Sequence, residues 1–115
     1  MSPVMSSDSL IPGEAYYRLR FADPGMTMPA VEPVIYIGMD VFPDEYPDAT
    51  DTCYFQDALS YRFCGSAAGD DFRSHPDIEV VIYPVDPEEI GDSLLDLDGV
   101  ISALGEARQR TLPIQ

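Results

Sequence analysis

Few residues in this chain have side chains suited to catalysis. The single histidine, His75, stands in Ser74-His75-Pro76, a loop context. A hydrolase triad needs a nucleophile within reach of an oriented base, and the sequence holds neither a GxSxG elbow nor a Cys-His signature. His75 therefore reads as an exposed bystander. The two cysteines, Cys53 and Cys64, do not form a CxxC, and no second pair exists to complete a zinc site. A nucleophilic thiolate needs a basic neighbour to lower its pKa. Arg62 is near Cys64 in sequence, but the surrounding charge is acidic. Both thiols are read as reduced, at least partly buried small hydrophobes with no metal between them. The run Gly65-Ser66-Ala67-Ala68-Gly69 lacks the lysine of a phosphate cradle, and no GxGxxG occurs. These absences point to a protein that is not an enzyme and carries no cofactor.

What the chain has in abundance is carboxylate. Twenty-one acidic residues face six basic ones, for a formal net charge of −15 over 115 residues. All six bases are arginine, a usage that hints at a bacterial source. Between Phe21 and Tyr61 there are eight acids and no base, and Asp86 to Asp98 holds six more acids, again without a base. The segment Asp96-Leu97-Asp98-Gly99 is similar to the middle of an EF-hand loop, but Leu94 and Gly105 fall where the outer ligands belong. Calcium chemistry is not indicated. A field of one sign repels nucleic acid and anionic membrane and steers a positively charged partner. The same acidity also serves solubility. The candidate partner-binding residues are Asp44, Glu45, Asp48 and Asp51 in the first segment and Glu88, Glu89, Asp92 and Asp96 in the second.

Those carboxylates need a scaffold, and the apolar pattern describes one. Hydrophobic residues make up 45% and aromatics 10%, too much for a disordered acidic tail. Residues 1–12 read as a flexible arm, and 13–115 as a single domain. Glu14 to Phe21 alternates strictly, with Tyr17, Leu19 and Phe21 on the side expected to be core. Asp23-Pro24-Gly25 ends that strand, and three prolines over residues 24–33 suggest an irregular connection. Further strands are expected near 34–42, 52–56 and 78–84, the last demoted to an edge by Pro84. Gly38 signals a bulge or a close backbone approach. Asp57 and Gly65 bracket either a helical turn with Asp as N-cap or a continuing strand; the spacing favours the helix.

The tail changes period. Asp86-Pro87-Glu88-Glu89 is a helix-start signature, and Leu94, Leu97, Ile101 and Leu104 form one apolar stripe. Gly91, Gly99 and Gly105 favour a broken helix over one rod. The rest of the expected core is Ile35, Ile37, Phe55, Val80 and Ile82. The expected fold is α+β: a small curved antiparallel sheet, or a partly open SH3-like barrel, with a C-terminal helical segment.

The N-terminus carries no basic region or apolar run of signal-peptide length, and no stretch approaches ~18 consecutive apolar residues. A cytoplasmic protein without membrane contact is expected. The favoured function is a non-enzymatic interaction protein that binds a basic protein partner and does not itself bind nucleic acid. Immunity proteins, antitoxins and DNA mimics are concrete versions. The alternative is a small-ligand or enzymatic domain whose pocket is lined by Tyr16, Tyr17, Tyr36, Tyr54, Tyr61 and Tyr83.

Overall fold

A computed structural model describes residues 6–45, 47–48 and 50–111. The first five residues of the expected arm and the last four of the expected domain lie outside that range. Four strands, β1 (Ala15–Phe21), β2 (Pro29–Met39), β3 (Cys53–Asp57) and β4 (Ile82–Val85), form one antiparallel sheet in the order β1-β2-β3-β4. The sheet does not close into a barrel. Helix α1 (Ala58–Cys64) follows β3, and α2 (Ile90–Ser93) and α3 (Leu97–Thr111) follow β4. The fold is α+β with a C-terminal helix.

β2 begins earlier than its prolines suggest. The chain turns over residues 22–28, where the Asp23 carboxylate accepts from the Thr27 and Met28 N–H groups and the Thr27 hydroxyl. Pro29 and Pro33 then lie inside β2, opposite Phe21 and Tyr17. Tyr17 turns its N–H and C=O away from β2, exchanging both with Leu95 on the outer side of β1. Pro33, its cross-strand partner, therefore loses no ladder bond by lacking an N–H, and Pro29 has the same parity. β3 reaches only Val34, so the proline-bearing half of β2 is a local edge. β4 starts only at Ile82 because β3 ends at Asp57, whose N–H and carboxylate still hold Val81, leaving residues 78–80 without a strand of this sheet to pair with. Gly38 marks a register shift between Tyr36 and Gly38, with φ +132°. A Cβ there would stand 2.5 Å from Val41 Cγ1, so both backbone and space require glycine.

Both sheet faces are covered, which changes the expected core. On one face Tyr16, Val34, Tyr36, Cys53 and Phe55 pack with Leu10, Ile90 and Leu94. Leu10 thus belongs to the core although it falls in the expected arm, and the Tyr16 hydroxyl accepts from the Ile11 N–H. On the opposite face Tyr17, Leu19 and Phe21 are only half-buried, as are Ile35, Val80 and Ile82; Ile37 and Phe55 are buried as expected.

The largest departure is in the tail. It is broken as the glycines implied, but the break falls at 94–96, where Leu95 pairs with Tyr17 and extends the sheet. Leu94 is buried as part of that segment. The helix proper restarts at Leu97 and packs through Val100 and Ala107. Leu97, Ile101 and Leu104, expected in the core, are 58%, 61% and 36% exposed.

Candidate partner-binding site

Consecutive antiparallel strands place the chain before β3 beside the chain after β4. The terminal pairs Met39↔Cys53 and Cys53↔Val85 set residues 40–52 and 86–89 at the same end of the sheet. The end of the first acidic segment and the start of the second, separate in sequence, meet there. Thr50, Asp51, Asp86, Pro87 and Glu88 line one open depression of about 360 Å³. Asp86 belongs with this group although the partner-binding set drawn from sequence omitted it. The acid itself was evident in the sequence, but it takes the register that pairs Cys53 with Val85 to bring Asp86 beside Asp51.

One carboxylate builds the base of this end. Asp40, at φ 52°, donates its N–H to the Thr52 carbonyl at 2.9 Å. Its side chain accepts from the N–H groups of Asp51 (2.9 Å) and Thr52 (3.0 Å). This clamp closes the loop that carries Asp44, Glu45 and Asp48, all exposed. Glu45 also borders a second cavity with Phe42, Ala67 and Ile82.

The eight acids between Phe21 and Tyr61 divide evenly. Asp23 holds the β1–β2 turn, Glu32 pairs with Arg18 at 3.3 Å, Asp40 clamps the loop and Asp57 caps α1. Among the described residues, the side chains of Asp44, Glu45, Asp48 and Asp51 make no such bond. In the second segment Glu88 and Glu89 are exposed at the acidic end. Asp92 lies elsewhere, bordering a cavity between α3 and β1 with Glu106 and Arg110. Asp96 accepts from the Gly99 N–H at 2.8 Å and so caps α3. That same bond shows Asp96-Leu97-Asp98-Gly99 to be a helix start rather than a calcium loop. Of the eight sequence-derived residues the structure therefore brings Asp51 and Glu88 together, with Glu89 next to them in the chain; Asp44, Glu45 and Asp48 are exposed on the adjoining loop, and Asp92 and Asp96 lie apart.

Asp57 is the best-connected carboxylate. It accepts from the Ser60 N–H and hydroxyl and from the Val81 N–H. Burial pushes its pKa up, but the bonds from Ser60 and Val81 outweigh this and hold it below the ordinary value. The helix it caps ends as the sequence suggested, with Gly65 at φ 83° donating its N–H to the Tyr61 carbonyl.

The other chemically capable residues are occupied by the fold. Cys53 and Cys64 are free and buried. Burial raises the Cys53 pKa and outweighs hydrogen bonding to Tyr36, which suits a packed thiol rather than a nucleophile. His75 is exposed, and its Nδ1 accepts from the Asp77 N–H at 3.0 Å within a turn. Tyr16 and Tyr36 pack on Phe55, Tyr54 meets Phe42 edge-on, and Arg18 stacks over Tyr83. Among the described residues, no tyrosine lines the cavities bounded by Leu19 and Arg110, by Asp51 and Asp86, or by Phe42 and Ile82. Among the described residues, no group of three or more His, Cys, Asp or Glu is disposed to hold a metal ion. No helix among them is long and apolar enough to cross a membrane. No family model, curated protein or solved structure matches the chain.

Proposed function

We propose that this is a non-catalytic, cytoplasmic interaction protein that docks a basic protein surface against its acidic end. The convergence of both acidic segments around Asp51, Asp86 and Glu88 carries this reading. Asp44, Glu45, Asp48 and Glu89 are exposed and add charge of the same sign. Carboxylates without internal partners keep their charge available to a cation, and a field of one sign raises the rate of encounter. An immunity protein or antitoxin that covers a toxin, and a DNA mimic that fills a nucleic-acid cleft, both use carboxylates in this way.

The test is association kinetics with a purified basic partner across a salt series. Screening acts over ~8 Å at physiological ionic strength, so association should slow markedly as salt rises. Neutralising Asp44, Glu45, Asp48 and Asp51 with Asn and Gln should slow association at low salt. Unchanged rate and affinity after neutralising both segments would assign the acidity to solubility alone. Competition by duplex DNA would single out the mimic. Stoichiometric loss of toxin activity on any substrate would single out the immunity protein.

A further inference from the structure

The C-terminal helix presents a surface that the described residues leave uncovered. Leu97, Ile101, Leu104 and Arg108 follow one another at spacings of four, three and four, so they share one face of α3. The three apolar members are 58%, 61% and 36% exposed, while the helix packs on the sheet through Val100 and Ala107. Charge on this helix is unlike the rest of the molecule. Against a total of −15, α3 carries two acids, Asp98 and Glu106, and two arginines, Arg108 and Arg110. Asp98 lies in its first turn and Arg108 in its last. We infer that α3 pairs antiparallel, across a two-fold axis, with α3 of a second copy of this chain.

The second copy is the occupant because the face complements itself. A two-fold axis at the level of Ala103 places Asp98 and Arg108 at equal distances on either side, five residues each way. Each Asp98 then meets the partner's Arg108, and the contact is made twice, as an isologous interface requires. The same axis sets Ile101 against the partner's Gly105. A Cβ at Gly105 meets nothing within 4 Å, so there is room for the isoleucine to seat. Elsewhere, two copies of a chain this acidic repel; at α3 the charges balance, and an apolar stripe can be brought into contact. One helix pair is small against the ~1,200 Å² of a standard stable interface, so the dimer is a weak, concentration-dependent one.

Sedimentation equilibrium of the full chain over a wide concentration range tests this. The wild type should show reversible dimerisation that strengthens as salt rises, because screening relieves the overall repulsion. Ile101→Glu, at an exposed position, should leave the circular dichroism unchanged and abolish the dimer. Asp98→Arg alone and Arg108→Asp alone should each weaken it roughly tenfold, because each replaces two attractions with two repulsions. The double variant should recover wild-type association. That recovery separates the dimer from a structural role. Both substitutions oppose the α3 dipole, so if the residues served only the helix the double variant would be the worst of the three. A monomer at every concentration, a dimer indifferent to Ile101→Glu, or no recovery in the double variant would overturn the inference.

Discussion

Asp57 and Asp51 lie at opposite ends of β3 and illustrate two uses of one functional group. Asp57 is half-buried, spends its carboxylate on Ser60 and Val81, and ties β3, α1 and the approach to β4 together. Asp51 is exposed, accepts nothing with its side chain among the described residues, and faces Asp86 and Glu88 across an open depression. Charge counting treats the two alike. Hydrogen-bond accounting separates them, because a carboxylate already holding backbone N–H groups has less to offer a partner. Among the acids are thus a structural set, Asp23, Glu32, Asp40, Asp57 and Asp96, and an outward-facing group that includes Asp51, Asp86 and Glu88 at one end of the sheet.

The strongest way to break this division is at Asp57. Asp57→Ala removes the N-cap and leaves the Ser60 and Val81 N–H groups short of a partner. It should destabilise the fold by about 2–3 kcal/mol in urea denaturation. Asp44→Ala, by contrast, should change stability by less than about 0.5 kcal/mol. If the two variants were equally stable, the two populations would not exist. Asp40→Ala comes next, at about 1 kcal/mol, because its bonds to Asp51 and Thr52 are partly exposed. It should also loosen the loop that displays Asp44, Glu45 and Asp48, seen as faster amide exchange at Asp51 and Thr52. Asp40→Asn, which tolerates the left-handed backbone, should restore part of the stability.

The division also marks how much a reader of the sequence alone can recover. Features set by neighbouring residues were legible: the Asp57 cap with its Gly65 stop, the bulge at Gly38 and the edge placement of Pro84. Features set by distant partners were not. Leu94 fits the stripe of Leu97, Ile101 and Leu104, yet the pairing of Leu95 with Tyr17 pulls it into the sheet and rotates the helix that follows. Tyr17, Leu19 and Phe21 look like the core side of a half-buried strand only while one face is assumed wet. Pro29 and Pro33 are acceptable in β2 because β3 stops short of them, a fact no local window contains. The acidic end was half legible. Its carboxylates were evident, but the clamp from Asp40 and the inclusion of Asp86 depend on which loops the sheet brings together.

Acid titration sharpens the comparison through the structural set. Asp23 is held below its ordinary pKa chiefly by the Thr27 hydroxyl, with help from the Met28 and Thr27 N–H groups. Asp57 is held low by Ser60 and Val81 against the effect of burial. A carboxyl whose folded pKa lies below its unfolded value adds stability above the unfolded pKa, and that stability is lost as pH falls through the folded one. Stability should therefore decline below about pH 4, where both carboxyls gain protons on unfolding. Asp57→Asn should lower the neutral-pH stability and flatten this acid limb. An unchanged slope in that variant would mean that Asp57 contributes nothing to the linkage.

At the outward-facing set the expected effect on stability is smallest, and its sign is reversed. Asp44, Glu45, Asp48 and Asp51 lie close together on one loop without a base among them, so their mutual repulsion is present in the folded state. Replacing them with Asn and Gln removes that repulsion and breaks no hydrogen bond made by their side chains among the described residues. Exposed charges in water interact weakly, so the gain should be only a few tenths of a kcal/mol. It should shrink as salt is added, because screening already supplies the same relief to the wild type. Thermal denaturation of the wild type and the quadruple variant in low and high salt gives the comparison directly. A loss of stability on neutralisation would mean that these carboxylates serve the fold after all. At this end of the sheet the acidic groups left for a partner would then be Asp86, Glu88 and Glu89.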